Sequence, residues 1–166
     1  VIGLKDEPGI AFHLFNALAK YNINVDIILQ SVGRDGTKDI SFTVSEDEAD
    51  EAVAIIQKSF PKSEYKKIDE EKDVAKISIV GAGMMTNPGV AATMFEALYD
   101  CGVNIKMIST SEIRVTVLID EKYTETMRSN MGYDKCDCWK SHILDYVIVL
   151  MPKTENTGCI LRRDRL

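Results

Sequence analysis

Three groups of residues in this chain have types and spacings that could do chemistry. Gly81 and Gly83, in the stretch VGAGMMTNPGV at 80–90, follow a strand-like apolar run and precede a helix-like one, the arrangement of a phosphate-gripping loop. Cys136, Cys138 and His142 cluster as metal ligands can. Asp6 stands beside a second Pro-Gly, at 8–9, in VIGLKDEPGI. The first two readings fail on their own requirements. A dinucleotide fingerprint needs a third glycine where Thr86 stands, and a longer parallel β-α-β continuation. A Walker loop needs Gly-Lys-Ser/Thr, which the chain lacks. The cysteine and histidine spacing fits no common zinc pattern and no fourth ligand is evident, so no metal is expected. The third reading survives. A glycine-containing loop that ends at a helix start exposes backbone N–H groups and the positive end of the helix dipole, which suit a carboxylate. Asp6 suits an ammonium. Carboxylate plus ammonium describes a free amino acid. The plainer alternative is that each Pro-Gly only starts a helix sharply.

The bulk composition narrows the classes. The 166 residues, 45% of them apolar, suffice for one ordinary domain or two small ones with real cores. The net charge of −6 argues against a nucleic-acid surface, because phosphate contacts need clustered Lys and Arg. No apolar run approaches the roughly 20 residues that span a bilayer, so no membrane partner is expected. Four cysteines are too few for a disulfide framework, and a reducing cytoplasm is the default location. Val1 opens the chain inside a strand-like run, which suggests that the natural beginning lies upstream.

The chain repeats itself with a shift of 80 residues. PGIAFHLFNALAKYNINVDIILQS, from Pro8, lies over PGVAATMFEALYDCGVNIKMISTS, from Pro88, and nine of the 24 positions are identical. That period is too long for a solenoid and implies a duplicated domain, which weakens the plain Pro-Gly alternative. Each copy reads as strand, helix, strand, strand, helix. In the first, residues 1–5 are a strand and Pro8-Gly9 opens a helix, with Pro in its first turn. Ile10, Leu14, Phe15, Leu18 and Ala19 follow helical spacing, and Asn22 ends the helix. A strand begins with Val25, Ile27 and Leu29, Gly33 to Gly36 is a hairpin turn, and DISFTV alternates as a half-buried strand. Ser45 and Glu48 predict a capping box for a helix carrying Ala49, Ala52, Val53, Ile56 and Phe60. The second copy predicts a strand at 74–80, a helix at 88–101, strands at 103–109 and 113–119, and a tight turn at Thr110-Ser111. The expected fold is α+β: two ferredoxin-like βαββαβ domains, antiparallel sheets with helices on one face, at 1–70 and 74–123.

LKDEPGIAFHLFNALAKYNINVDIILQ, KISIVGAGM, NPGV and VNIKMISTSEIRVTVLI together resemble the tandem ACT domains of the aspartate kinase (aspartokinase) regulatory region or small subunit. ISTSEIR followed by a strand is characteristic of aspartate kinases rather than of ACT domains in general. The resemblance covers residues 1 to about 123. It implies feedback regulation of L-aspartate phosphorylation in lysine, threonine and methionine synthesis. It also implies effector amino acids at seams between ACT units, each seam joining the helix-start loop of one unit to a strand of another. Carried over, a lysine-type seam uses Asp6, Pro8, Gly9, Asp26, Ser111 and Glu112, its acids meeting the effector's side-chain ammonium. A threonine-type seam uses Gln30, Val90, Ala91, Asn104 and Ile105, with backbone groups on the amino-acid ends and the Gln30 amide as a further partner. Asn24 and Asn104 also suit helix-to-strand turns for purely local reasons.

The resemblance implies a kinase catalytic domain or subunit as partner and a homodimer. It places ATP and Mg in that kinase part, with no cofactor in this chain. No general base, nucleophile or paired catalytic side chains appear, so this chain is expected not to be catalytic by itself, and His13 is read as an ordinary helix-surface residue. A stand-alone ACT amino-acid-binding or dimerisation module is the alternative. RNA binding on the sheet would need surface aromatics and basic charge, and DISFTV offers one Phe on an acidic chain. Residues 124–166 form a tail outside the family pattern. Within it ILDYVIVLM, 143–151, reads as a strand expected at an edge of the second sheet, or else left exposed as an aggregation hazard.

Overall fold

The computed structural model describes residues 1–33, 35–81, 89–124, 147–151 and 159–161. The chain divides into two compact units, Val1–Lys72 and Asp73–Leu166.

In the first unit, β1 (Leu4–Lys5), α1 (Ile10–Ala19), β2 (Ile28–Val32), β3 (Thr37–Phe42) and α2 (Glu46–Ser59) follow in order. The sheet is antiparallel, ordered β1-β3-β2. Residues 64–67 run along the free side of β1: Ile2 N–H donates to the Lys67 carbonyl at 2.8 Å, and Lys66 N–H to the Ile2 carbonyl at 2.8 Å. This completes the βαββαβ sequence. Alternation on the strands and 3.6-residue spacing on the helices bring Leu4, Leu14, Leu18, Ile40, Ile55, Ile56 and Phe60 into one core. Ala19, assigned to the buried stripe by its spacing, is exposed; Ala17 takes the core position instead.

The second unit contains β4 (Val74–Val80), α3 (Val90–Asp100), β5 (Ile105–Thr110), β6 (Arg114–Asp120), a 3-10 turn (Glu121–Tyr123), β7 (Val147–Met151) and β8 (Cys159–Leu161). Its antiparallel sheet is ordered β5-β6-β4-β7-β8. β7 pairs with β4 through Lys76↔Met151 to Val80↔Val147, and β8 lies beyond it. Residues 143–146 lie outside the described residues. Ile77, Ile79, Val115, Val117 and Ile119 meet Met94, Ala97 and Leu98 of α3 in a second core. Each unit is thus an α+β layer of the ferredoxin-like kind.

The duplication extends to backbone dihedrals. α1 and α3 are each preceded by a glycine in the left-handed region, Gly9 at φ 94° and Gly89 at φ 98°, with ψ of −5° and −6°. Each helix ends in a Schellman turn around another left-handed residue, Asn22 at φ 60° and Gly102 at φ 66°. Ile23 N–H reaches the Leu18 carbonyl and Asn22 N–H the Ala19 carbonyl; Val103 to Leu98 and Gly102 to Tyr99 repeat the pair.

Several local expectations are corrected. Pro8 precedes the helix rather than sitting in its first turn, because the left-handed Gly9 cannot be a helical residue. β2 starts at Ile28, since the Thr43 side chain accepts the Ile27 N–H at 3.0 Å and so takes the place of a ladder bond. The capping box is incomplete: Ser45 precedes α2, but its hydroxyl donates to the Glu48 carboxylate, a charge-assisted bond, instead of capping the helix amides. β5 persists through Thr110, which moves the turn to Ser111–Ile113, closed by Ser111 N–H donating to the Arg114 carbonyl at 2.7 Å.

Candidate functional site

The two helix starts are the features with binding chemistry. Glycine has no side chain to cap a helix, and neither α1 nor α3 carries a side-chain cap hydrogen bond. The first intrahelical bonds are His13 N–H to the Gly9 carbonyl and Thr93 N–H to the Gly89 carbonyl, both 2.9 Å. Amides 10–12 and 90–92 therefore precede the first intrahelical donors; Ile10 N–H donates to the Glu7 carbonyl at 3.3 Å. No acidic residue occupies the first turn of either helix to neutralise its dipole.

Asp6, Pro8 and Gly9 form the exposed approach to α1. Asp6 is not an isolated acid: Lys38 Nζ of β3 lies 3.4 Å from its Oδ2. The sequence reading missed Lys38. Its signal is strand parity, since Lys38 shares a sheet face with the core residue Ile40, two positions on. Asp26 is exposed at the other end of the sheet, its N–H donating to the Thr43 carbonyl at 3.1 Å. Asp6 adjoins the strand end where Lys5 faces Thr37, so Asp26 is about 20 Å away along β3 at the usual strand rise. Gln30 is exposed midway along β2, opposite Ile40.

In the second unit, Val90 and Ala91 open α3 and are partly buried against its core. Asn104 is exposed and Ile105 half-buried, both past the far end of α3, roughly 16 Å of helix away. Asn24 and Asn104 each stand two residues beyond the left-handed turn residue, and both are exposed. Ser111 and Glu112 are exposed at the β5-β6 hairpin tip, where Gly81 N–H donates to the Ile113 carbonyl at 2.9 Å. Each predicted set therefore contains residues that one unit alone holds apart: Asp6 from Asp26, and Val90 and Ala91 from Asn104 and Ile105.

Gly83, Pro88, Cys136, Cys138 and His142 lie outside the described residues. Among the described residues no group of His, Cys, Asp and Glu is arranged to hold a metal ion. Among them, too, no helix is long and apolar enough to cross a membrane.

Two copies of this layer, with matched helix starts and helix ends, define a duplicated ferredoxin-like α+β domain. Residues 1–60 and 77–128 match the ACT domain, and the chain belongs to the ACT domain family. It is 46% identical over 123 residues to the aspartokinase of Helicobacter pylori strain 26695, an alignment covering 74% of this chain and 30% of that protein. It resembles a chain in the crystal structure of aspartokinase alpha and beta subunits at 40% identity and a TM-score of 0.67, covering 80% of this chain and 90% of that one. It also resembles the ligand-free regulatory subunit of aspartate kinase from Thermus thermophilus at 41% identity and a TM-score of 0.66, covering 75% and 82% of the two chains. Within the ACT family, the pair is of the aspartokinase regulatory type. The chain spans about 30% of the length of the curated relatives it matches.

Proposed function

We propose that this chain senses free amino acids for an aspartate kinase and restrains phosphorylation of L-aspartate when lysine, threonine or both accumulate. The observation that carries the reading is the repeated helix start. Gly9 and Gly89, 80 residues apart, hold the same dihedrals and leave their helices without side-chain caps. In this reading the effector's carboxylate accepts hydrogen bonds from first-turn amides, with the helix dipole adding to the attraction.

Lysine is assigned to Asp6, Pro8, Gly9, Asp26, Ser111 and Glu112, whose carboxylates suit its second ammonium. A charge-assisted contact of this kind contributes about 1.5–3 kcal/mol. Threonine is assigned to Gln30, Val90, Ala91, Asn104 and Ile105. Because one unit alone separates members of both sets, the reading requires each effector to be held by residues of more than one ACT unit. Binding then acts on a kinase catalytic region, which carries the ATP and Mg chemistry, by favouring the arrangement of lower activity. Such a shift requires different affinities for the two arrangements. The working assembly in this reading is a cytoplasmic homodimer.

The test is thermal unfolding of the chain with a panel of amino acids, including lysine and threonine alone and together. Ligand at 100 times its Kd adds about 2.7 kcal/mol, which raises the midpoint by several degrees. Loss of the lysine shift in Asp6→Ala or Glu112→Ala supports the assignment of those carboxylates. No shift with any amino acid overturns ligand sensing by this chain.

A further inference from the structure

The ion pair at the start of α1 has no counterpart in the repeat. Lys38 sits opposite Leu4 in the β1-β3 ladder, on the core-facing side of the sheet. Its side chain is 19% exposed against 53% for Asp6. The aliphatic stem is thus largely covered, and the ammonium emerges where α1 begins. Among the described residues, Asp6 is its only ionic partner. Under the 80-residue shift the position over Asp6 is Thr86, so the second copy has no acid there.

We infer that Lys38 is a built-in competitor for cationic effectors: its ammonium occupies the carboxylate that the side-chain ammonium of a basic amino acid must take. Lys38 therefore sets the concentration at which such a ligand binds. The inference rests on the assignment of Asp6 to effector binding. An incoming ammonium meets an Asp6 that is already neutralised, with a like charge beside it. It binds either by displacing Lys38, whose four-carbon stem can swing out, or by tolerating the repulsion. Both routes weaken binding of lysine. Neither touches a ligand of the same length without the second ammonium, such as norleucine. The Asp6 side of the pair is half open to solvent, so removal of the pair should tighten lysine binding about two- to fivefold.

Titration calorimetry on the full 166-residue chain tests this with L-lysine and L-norleucine as probes. The proteins are the unmodified chain, Lys38→Met (which keeps the covered stem), Lys38→Gln as a second variant, and Asp6→Asn/Lys38→Met; far-UV circular dichroism checks that each is folded. Expected is a two- to fivefold lower Kd for lysine in both single variants, unchanged norleucine binding, and loss of the gain in the double variant. Lysine binding first seen when Lys38 is removed supports the inference equally. If the unmodified chain binds lysine and both single variants bind it equally or more weakly, the inference is overturned and effector binding stands. If lysine binds none of the four proteins, the assignment of Asp6 to effector binding falls, and the inference with it.

Discussion

Replacing Gly9 or Gly89 with alanine tests whether the two helix starts are built alike. Among the described residues, a Cβ at Gly9 would come no nearer than 3.8 Å, to the His13 ring, and at Gly89 it would meet nothing within 4 Å. Space is no obstacle, so the native-state penalty is confined to the backbone. At φ of 94° and 98° an L-residue brings its Cβ against the neighbouring carbonyl, at a cost of about 1–2 kcal/mol. Alanine also restricts the unfolded chain, which offsets part of this, about 0.4–1 kcal/mol. The net expectation is a loss of about 1 kcal/mol at each site, similar at both because the backbone dihedrals match. On a unit of under 100 residues that lowers the midpoint by about 4–8 °C. Urea unfolding followed by far-UV circular dichroism measures it. The expectation is refuted if either alanine leaves stability unchanged, or if one site loses about 3 kcal/mol or more while the other loses about 1, since no steric contact among the described residues accounts for that difference.

Three further outcomes are expected. Ser78 and Thr116 face each other across β4 and β6 and share a buried hydrogen bond of 2.8 Å; Ser78→Ala should cost about 1–3 kcal/mol, and adding Thr116→Val should recover part of it, as a double-mutant cycle in urea would record. Leu18 and Leu98 stand at equivalent positions and are fully buried, so alanine at either should cost about 2.7–5 kcal/mol in the same assay. The Lys72 ammonium, through a hydrogen bond and its charge, holds the Asp50 carboxyl below its ordinary value of 3.8. A lowered folded pKa contributes stability above the unfolded value that is lost as pH falls through the folded one, so Lys72→Met should flatten the loss of stability below about pH 4 in midpoints recorded from neutral to acid pH.

The sequence carried the duplication, and with it the class of fold. Pro-Gly at 8 and 88, followed by Leu14 and Leu18 or Met94 and Leu98 at helical spacing, needed only local periodicity to read. Local chemistry also marked Asn22 as a helix end, because asparagine tolerates the left-handed region that the Schellman turn requires. Competing polar groups were harder to foresee. Ser45 could cap α2 or donate to Glu48, and Ile27 N–H could join a ladder or meet Thr43; both outcomes depend on where a second side chain stands in space.

The candidate site divides along the same line. Its helix starts are local objects, set by glycines that free the backbone and supply no cap, and the chain order alone points to them. Which strand lies beside which loop is a matter of long-range pairing. The β1-β3 register brings Lys38 to Asp6, 32 residues earlier in the chain, and the β2-β3 ladder sends Asp26 to the opposite end of the sheet. Periodicity assigns a residue to a face, but it does not say which residues of other strands share that face at the same height. Sheet register decides that, because it is set by which face of each strand the unit's own core buries.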